Sequence, residues 1–479
     1  MRGKRSVLCF ASLLLLAAPL GVTAQTPLVE AKTAGGAEVA TIRTDSMRVL
    51  VPLRVLGMGV SAGFLAADDS ARIGGEGSFL ATGTFDAATL VTPPAAGAGT
   101  RMMWYPEMAS FRAGYVDGTQ WDKLNVGESS TAGGHNVTAS GTSSTAFGEG
   151  STASGFGATA LGQSNTASGY DAFAGGYNGS ASGAYSVALG GSANAGGNFA
   201  FAAGGATNAS NDYAVALGSN TIASGNASFA AGTNAVASGM GAISLGAATS
   251  ATADLSIALG GTTAASGTYA VATGQGTSAQ AYNSFVVGRY NTLTGTTGSW
   301  VSTEPLFVAG NGSSGSSRSD ALVLLKNGDM TIAGTLTQSS DARLKEDMEP
   351  LTGVLERVMQ LTPIRYRFRP GAGHPAGEQI GLTAQQVRPL FPELVKTDAD
   401  GYLSLSYANL SAVLVRAVQE QQAEIDAVRD GQAATASLKA EVRSLRERNE
   451  KLASEIAALR ARQAEILRRL GMAEPDGGR

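Results

Sequence analysis

The amino-acid sequence predicts a mainly β protein in which a long solenoid is followed by a charged helical end. Two periodic patterns lead to this class. Glycine recurs at steps of seven residues from Gly141 to Gly288, and apolar residues recur at steps of four and three from Leu438 to Leu470. A repeat that keeps a constant length along the chain is typical of stacked architectures, whose units bury their apolar faces against each other.

The glycine repeat has a true period of fourteen residues. One set of glycines follows Ala-Ser, as in residues 166–169, and the other follows an alternating apolar triplet, as in residues 187–190. The larger residues of each triplet are two apart, which places them on one face of a strand. Each seven residues therefore predict a strand of about five residues and a tight turn, in which glycine takes the left-handed conformation.

The predicted solenoid is thin. About eleven coils at a spacing of about 4.8 Å make a rod roughly 50 Å long, and its inward residues are mostly alanine. Disorder is the alternative for a segment so rich in Gly, Ala and Ser, but a disordered linker has no reason to hold a seven-residue register. So narrow a core buries little apolar area per chain, so we expect several chains to associate along the rod.

The chain begins with the features of a secretory signal peptide, which we place at residues 1–24. A basic start is followed by an apolar stretch from Val7 to Val22. A membrane-spanning helix is the alternative, but this stretch is shorter than the roughly 20 residues that a bilayer core requires. The only cysteine, Cys9, lies inside it, so we expect a mature chain without disulfides.

Charge and composition exclude several functions. The formal net charge is −4, and it becomes −7 when the three basic residues of the predicted signal peptide are removed. Without a basic bias, nucleic-acid binding is not expected. The two histidines, His135 and His374, offer too few ligands for a transition-metal site, so we expect neither a metal nor a cofactor.

Two further segments flank the repeat, which we place at residues 131–293. Residues 25–130 predict short strands, for example at 47–51, and are expected to form a β-cap on the rod. A small binding face is the alternative use of their aromatic residues, Trp104, Tyr105, Phe111, Tyr115 and Trp121. Residues 294–339 predict paired strands that continue the fibre, because Asn327 and Gly328 form a turn signal between β-forming residues.

The apolar pattern near the C-terminus predicts a parallel coiled coil between copies of the chain, which we place with the tail at residues 431–479. Asn449 and Gln463 fill two of its core positions. The seam does not decide whether two or three helices form the coiled coil. An amphipathic helix folded back on its own domain is the alternative. A shorter stretch from Leu414 to Val428 is predicted to begin the helix, and residues 431–437 to interrupt it.

The repeat units resemble the head repeats of trimeric autotransporter adhesins of the YadA type. The resemblance is carried by units such as residues 186–190 and 166–169. It implies a left-handed parallel β-roll built from three chains, located at a bacterial cell surface or secreted. It also implies a possible surface glycan or matrix ligand.

The segment that opens with Ser339, Ser340 and Asp341 is, taken alone, an ordinary helix start. Its sequence from Ser340 to Lys345 resembles the opening of the C-terminal intramolecular chaperone domains of phage endosialidases and related tailspikes, which are self-cleaving serine peptidases. Further matching motifs follow in order at residues 361–363, 366–368, 380–387, 391–395 and 405–407. The resemblance implies an α+β chaperone domain at 340–430.

The same resemblance implies a catalytic pair. Ser340 is the expected nucleophile, Lys345 its general base, and the bond between Ser339 and Ser340 the cleavage site. A serine hydroxyl needs a base, and a lysine can serve if burial leaves it neutral. We therefore expect an exported homotrimeric surface fibre, adhesin-like, whose C-terminal domain assembles the trimer and then cuts itself away.

A tailspike-like protein that binds or degrades glycans with the same chaperone is the alternative function. The repeat has only three acids between Gly155 and Gly288, namely Asp171, Asp212 and Asp254. They are too sparsely spaced to form the acid and base pair of a glycosidase.

Overall fold

The computed structural model describes residues 83–86, 92–369 and 373–472, together with the backbone of three strands nearer the N-terminus. The predicted signal peptide lies outside the described residues. The chain divides into two units, residues 1–84 and residues 85–479. In the first unit, Val29–Lys32 pairs antiparallel with Glu38–Ile42, which pairs antiparallel with Met47–Val49.

The second unit contains a parallel β-solenoid of about eleven turns at residues 131–289, which confirms the predicted fold class. Each coil has a five-residue long strand, a turn, a two-residue short strand and a second turn. The long strands are Thr131–His135, Thr145–Glu149, Thr159–Gln163, Phe173–Tyr177, Val187–Gly191, Phe201–Gly205, Val215–Ser219, Phe229–Thr233, Ile243–Ala247, Ile257–Gly261, Val271–Gln275 and Phe285–Arg289. The short strands are Thr138–Ala139, Thr152–Ala153, Thr166–Ala167, Ser180–Ala181, Asn194–Ala195, Asn208–Ala209, Ile222–Ala223, Val236–Ala237, Ser250–Ala251, Ala264–Ala265 and Ser278–Ala279.

The short strands differ from the prediction of a five-residue strand in every seven residues. The physical reason lies in the Ala-Ser-Gly sequence. The amides of Ser154 and Gly155 both donate to the carbonyl of Ala167, at 2.9 and 3.3 Å. Because two successive amides share one carbonyl, the chain bends there and the extended ladder ends.

The two sets of glycines differ in conformation. Those that follow Ala-Ser, such as Gly155, do not have a positive φ. Those that follow the apolar triplets do have one, 110° at Gly162, but they lie inside the long strands and not in the predicted turns. A Cβ atom on either glycine would lie under 3.0 Å from the carbonyl oxygen of the equivalent residue on the next coil. Close approach of the coils therefore requires glycine at both positions.

The left-handed turn conformation falls two residues after each glycine, mostly on other residue types. Ser164 and Asn178 adopt it at the first turn of their coils, and Asp171 and Tyr185 at the second. Asn211, which interrupts the glycine series, does not have a positive φ, so a left-handed turn does not explain its presence.

The core of most coils is made of four small side chains. In one coil these are Ala146, Ser151, Ala153 and Ala158, all with no exposed surface. The larger residues of the apolar triplets, such as Val187 and Leu189, lie half-buried on the outer face of the long strands. The inward face is therefore mostly alanine, as predicted, and the larger side chains of the triplets point away from the core.

A β-hairpin covers the N-terminal end of the solenoid. Gly99–Tyr105 pairs antiparallel with Ser110–Val116, and the second strand pairs parallel with the first long strand. Pro106–Met108 and Lys123–Asn125 are single 3-10 turns. Trp121 and Tyr105 are buried while Tyr115 is half-exposed, so the predicted aromatic residues do not share one exposed face.

Arg112 closes this end of the core. It is aligned with the core residue Ala132, and its guanidinium donates to the carbonyls of Ser130 and Ala139, both at 2.9 Å. Burial lowers the pKa of Arg112 to about 10. The side chain thus binds carbonyl groups at the point where no further coil covers the core.

The other end of the solenoid continues into paired strands, as predicted. The last long strand pairs parallel with Pro305–Asn311, which pairs antiparallel with Asp320–Leu325. The sheet ends with Met330–Ile332, and Gly328 in the intervening turn has a φ of 89°. The side-chain oxygen of Asn327 accepts from the amide of Asp329 at 3.0 Å, which stabilises this turn.

The C-terminal domain is a small α+β body on a long helix. Its elements are the 3-10 turn Ala342–Leu344, the helix Val354–Val358, the strands Ile364–Tyr366 and Gln379–Gly381, the helix Ala384–Val387, the 3-10 turn Pro392–Leu394, the strands Val395–Thr397 and Leu403–Leu405, and the helix Tyr407–Arg469. Val354, Val387, Phe391, Leu394, Val413 and Ala417 form its buried core.

The long helix is continuous, so the predicted interruption at residues 431–437 is wrong. Its 63 residues span about 95 Å at 1.5 Å per residue. Gly431 does not have a positive φ, and the hydroxyl of Thr435 donates to its carbonyl at 2.7 Å. A single glycine costs a helix only about 1 kcal/mol, which the surrounding helix-forming residues offset.

We expect Gly155→Ala to destabilise the solenoid, because the new methyl group meets backbone atoms of the next coil, which cannot rotate away. Overpacking of this kind costs about 1–3 kcal/mol. Thermal unfolding followed by circular dichroism measures the effect. Gly298→Ala is the control, since a Cβ there meets no atom within 4 Å. Equal melting temperatures for the two variants would contradict the explanation.

Candidate functional site

Ser340 and Lys345 lie within hydrogen-bonding distance of each other. The Lys345 ammonium nitrogen donates to Ser340 Oγ at 2.8 Å. The two residues flank the 3-10 turn Ala342–Leu344, and Lys345 closes it by donating its amide to the carbonyl of Ala342. The structure therefore brings together the two residues that the sequence nominated, across a spacing of five residues.

Asp341 and Arg343 hold this turn in shape. The Asp341 carboxylate accepts from the backbone amide of Arg343 at 2.9 Å, which is the usual N-cap interaction, and from its guanidinium at 2.6 Å. These hydrogen bonds keep the pKa of Asp341 below its ordinary value. The capped turn sets the direction in which the Lys345 side chain returns towards Ser340.

The Ser340–Lys345 pair is exposed in a single chain. All residues from Gly334 to Gly353 are exposed. A charged lysine can donate to a serine hydroxyl but cannot take its proton, whereas a neutral amine can accept it. The observed geometry therefore suits proton transfer only after the amine has become neutral, and withdrawal from water favours that form.

The body behind the turn is anchored to the long helix by Glu420. One carboxylate oxygen of Glu420 accepts from the amides of Val354 and Leu355, both at 2.8 Å, at the start of the helix Val354–Val358. The other oxygen accepts from Arg416 at 3.0 Å. Hydrogen bonds from Leu355, then Val354 and Arg416, lower the pKa of Glu420.

The other sequence motifs of this segment form the body and not the pair. Tyr366 and Phe368 pack edge to face at 5.3 Å, and Phe368 stacks on His374 at 4.3 Å. The Tyr407 hydroxyl accepts from the amide of Leu382 at 2.9 Å. The Tyr407 hydrogen bond connects the end of the strand Gln379–Gly381 to the start of the long helix.

Two of the three acids between Gly155 and Gly288 have structural partners. Asp212 accepts from the amide of Asn198 at 2.8 Å, and Asp254 accepts from that of Met240 at 2.9 Å. Each carboxylate thus stabilises the turn of the preceding coil. Of the two histidines, His135 lies with its Nδ1 atom 3.7 Å from a carboxylate oxygen of Glu149 on the next coil. Within the described residues, no helix combines the length and the apolar character needed to cross a membrane.

Two residues with clear structural roles escaped the sequence reasoning. Arg112 carries no motif, and only its register with Ala132 reveals that it fills a core position. Glu420 is one of several acids on a charged helix, and its partners lie 65 and 66 residues away. No spacing rule in the sequence connects positions so far apart.

Fold and site together define a solenoid fibre joined to a C-terminal domain that begins at an exposed Ser–Lys pair. Residues 340–396 match a peptidase family described as the chaperone of endosialidase. Nine segments match the YadA head domain repeat: residues 139–155, 153–178, 181–207, 195–221, 209–235, 223–249, 237–263, 251–277 and 265–291. Both resemblances of the sequence are thereby confirmed.

We expect Glu420→Gln to loosen the helix Val354–Val358, because a neutral amide binds the two backbone amides more weakly than a carboxylate. Hydrogen exchange at Val354 and Leu355 should become about tenfold faster at pH 7. Glu424→Gln, at an exposed position one turn further along, is the matched control.

The same anchor predicts a pH dependence. Because the folded-state pKa of Glu420 is lowered, its contribution is complete above the ordinary glutamate pKa of about 4.3 and is lost as the pH falls through the folded-state value. The difference in melting temperature between the wild type and Glu420→Gln should therefore shrink below about pH 4. A difference that stays constant down to pH 2 would rule this role out.

Proposed function

We propose that the chain forms an exported homotrimeric surface fibre, adhesin-like, whose C-terminal domain guides assembly and then separates itself by cleavage between Ser339 and Ser340. The observation that carries the proposal is that, among the residues that the structure describes, two long apolar surfaces of a single chain have no partner. One follows the solenoid and the other follows the coiled-coil seam.

The solenoid surface is the outer face of the long strands. It presents residues such as Val187, Leu189, Val215 and Leu217, each of them only half-buried. Their neighbours on the inner face are fully buried alanines, so the chain's own core has no room for them. Burying this face against other copies would supply the apolar area that one narrow core lacks.

The helix surface is the predicted coiled-coil seam. Its apolar residues keep between 42 and 66% of their surface exposed: Leu438, Val442, Leu445, Leu452, Ile456, Leu459, Ile466 and Leu470. The matched YadA head repeats favour three chains, and a parallel coiled coil is compatible with that number. Three parallel helices would hold the chain ends together while the rods come into register.

The proposed cleavage is a hydrolysis in two steps. Lys345, as a neutral amine, takes the proton of Ser340 Oγ, which bonds to the carbonyl carbon of Ser339. The bond between that carbon and the Ser340 nitrogen breaks, and the nitrogen receives the proton. Water then hydrolyses the resulting ester, leaving a carboxylate on Ser339 and a free amine and hydroxyl on Ser340.

Assembly supplies the timing in this mechanism. The pair is exposed in one chain, where water favours the charged lysine, and cleavage would begin when neighbouring chains cover the pair. The family match starts at residue 340, which supports a domain boundary at the proposed cleavage site. A glycan or matrix molecule is the proposed class of ligand for the fibre, which would act at the cell surface or after secretion.

We expect Ser340→Ala to abolish cleavage and Lys345→Met to slow it by about a hundredfold or more, the usual effect of losing a general base. Wild-type protein should yield a fragment whose new N-terminus is Ser340, detected by mass spectrometry of secreted material. Ser339→Ala is the control, because this change leaves both members of the pair in place. Continued cleavage of Ser340→Ala at the same bond would refute the assignment.

A further inference from the structure

One edge of the solenoid carries bulky aromatic residues in a backbone conformation that they rarely adopt. Phe199, Tyr213 and Tyr269 occupy the second turn of their coils with φ of 57, 58 and 61°. This left-handed region favours glycine and asparagine, and a bulky residue there is an outlier. We call these three residues the aromatic edge.

The aromatic edge is left uncovered by its own chain. Phe199 keeps 50% of its surface exposed, Tyr213 58% and Tyr269 46%. The rings of Phe199 and Tyr213 stack on each other at 5.2 Å, with nearly parallel planes. Stacking within one chain thus covers about half of each ring, and the exposed half is apolar surface that another chain can bury.

The opposite edge of the same coils carries glycines that their own chain does not require. Gly191, Gly205 and Gly261 end their long strands, and none of them has a positive φ. A Cβ atom on any of the three would meet nothing within 4 Å. They are the only glycines of residues 131–289 with such free space. We call them the glycine edge.

The two edges correspond coil by coil. The coil that contains Gly191 also contains Phe199, that of Gly205 contains Tyr213, and that of Gly261 contains Tyr269. In two coils whose second turn has a smaller residue in the same place, the glycine edge position carries a larger side chain. Thr233 accompanies Gly241, and Gln275 accompanies Asn283. Tyr185, in the coil of Tyr177, departs from the pattern.

From this correspondence we infer that each aromatic edge packs over the glycine edge of a neighbouring copy of the chain. The inference rests on the proposed trimer. In a ring of identical chains with their apolar long-strand faces turned inwards, one edge of each chain must meet the opposite edge of the next. A parallel coiled coil places equal coils at equal height, so Tyr213 faces Gly205 of the neighbouring copy.

The chemistry of both edges fits contact between copies. Between residues 172 and 253 the only charged residue is Asp212, so identical chains approach without charge repulsion. Because the glycine edge of one copy has no side chains, it offers a flat backbone surface that an aromatic ring of the neighbouring copy can cover. Burying the exposed halves of the rings would add apolar contact area between the copies.

Disulfide cross-linking tests the pairing in the full-length secreted protein. With Cys9→Ser as background, Gly205→Cys and Tyr213→Cys in one chain should give a covalent trimer on a non-reducing denaturing gel, because each chain then bonds to both neighbours. Each single change alone should give at least tenfold less covalent product, because equivalent positions of different chains lie apart around the ring. Gly205→Cys with Ser210→Cys, which is exposed just after the short strand, is the matched control.

The mass of the native assembly separates the two possible failures. A three-chain mass without covalent oligomers in the Gly205→Cys, Tyr213→Cys protein would overturn the edge contact and leave the proposed trimer standing. A single-chain mass would overturn both.

A size exchange gives a second measurement. A Cβ atom at Gly205 meets nothing within 4 Å, so Gly205→Phe should lower the dissociation temperature of the trimer without unfolding the coil, and Tyr213→Ala in the same chain should restore it. Failure of Tyr213→Ala to restore the trimer would contradict the pairing.

Discussion

The close approach of glycine backbones on successive coils is the constraint from which the rest of the solenoid follows. Parallel pairing at an offset of fourteen residues, as between Val187 and Phe201, repeats along the rod without a shift. Glycines such as Gly155 and Gly162 keep the carbonyl of the next coil where any side chain would collide with it. Each coil is therefore narrow, and its interior holds mostly small side chains such as those of Ala146 and Ser151.

A narrow interior determines what the outer surface must do. The larger valine and leucine residues of the triplets lie on the outer face of the long strands, where another chain can bury them. The stability of such a rod then depends on association, and association of long repetitive chains requires a common register, which non-local contacts establish slowly. A helix of 63 residues with an apolar seam provides a place where the chains can meet first. The Ser340–Lys345 pair lies between these two parts, at the start of the segment that matches the chaperone family.

Much of this architecture could be predicted from the sequence, because it rests on periodic patterns. The fourteen-residue period, the alanine interior and the coiled-coil seam each repeat many times, so an error at one position does not change the interpretation. The pair of Ser340 and Lys345 could be nominated because its members are five residues apart and lie in a recognisable motif. The errors concerned local conformation. A strand of about five residues was expected in every seven, but every second strand has only two. Glycine was assigned to the turns, although the turns contain residues such as Asn178 and Tyr185, and Gly431 was taken to interrupt a helix that continues through it.

The sequence by itself determined the period, the composition of the interior and the presence of a helical end, because each follows from local spacing along one chain. Only the tertiary structure decided which way each side chain faces and which distant residues meet. Arg112 enters the core because a hairpin places it in register with Ala132, and Glu420 meets the amide of Val354 because a long helix passes beside a short one. The path of the coil likewise places Gly205 and Tyr213 on opposite edges. Their positions depend on how the coil closes and not on the conformational preferences of the two residues.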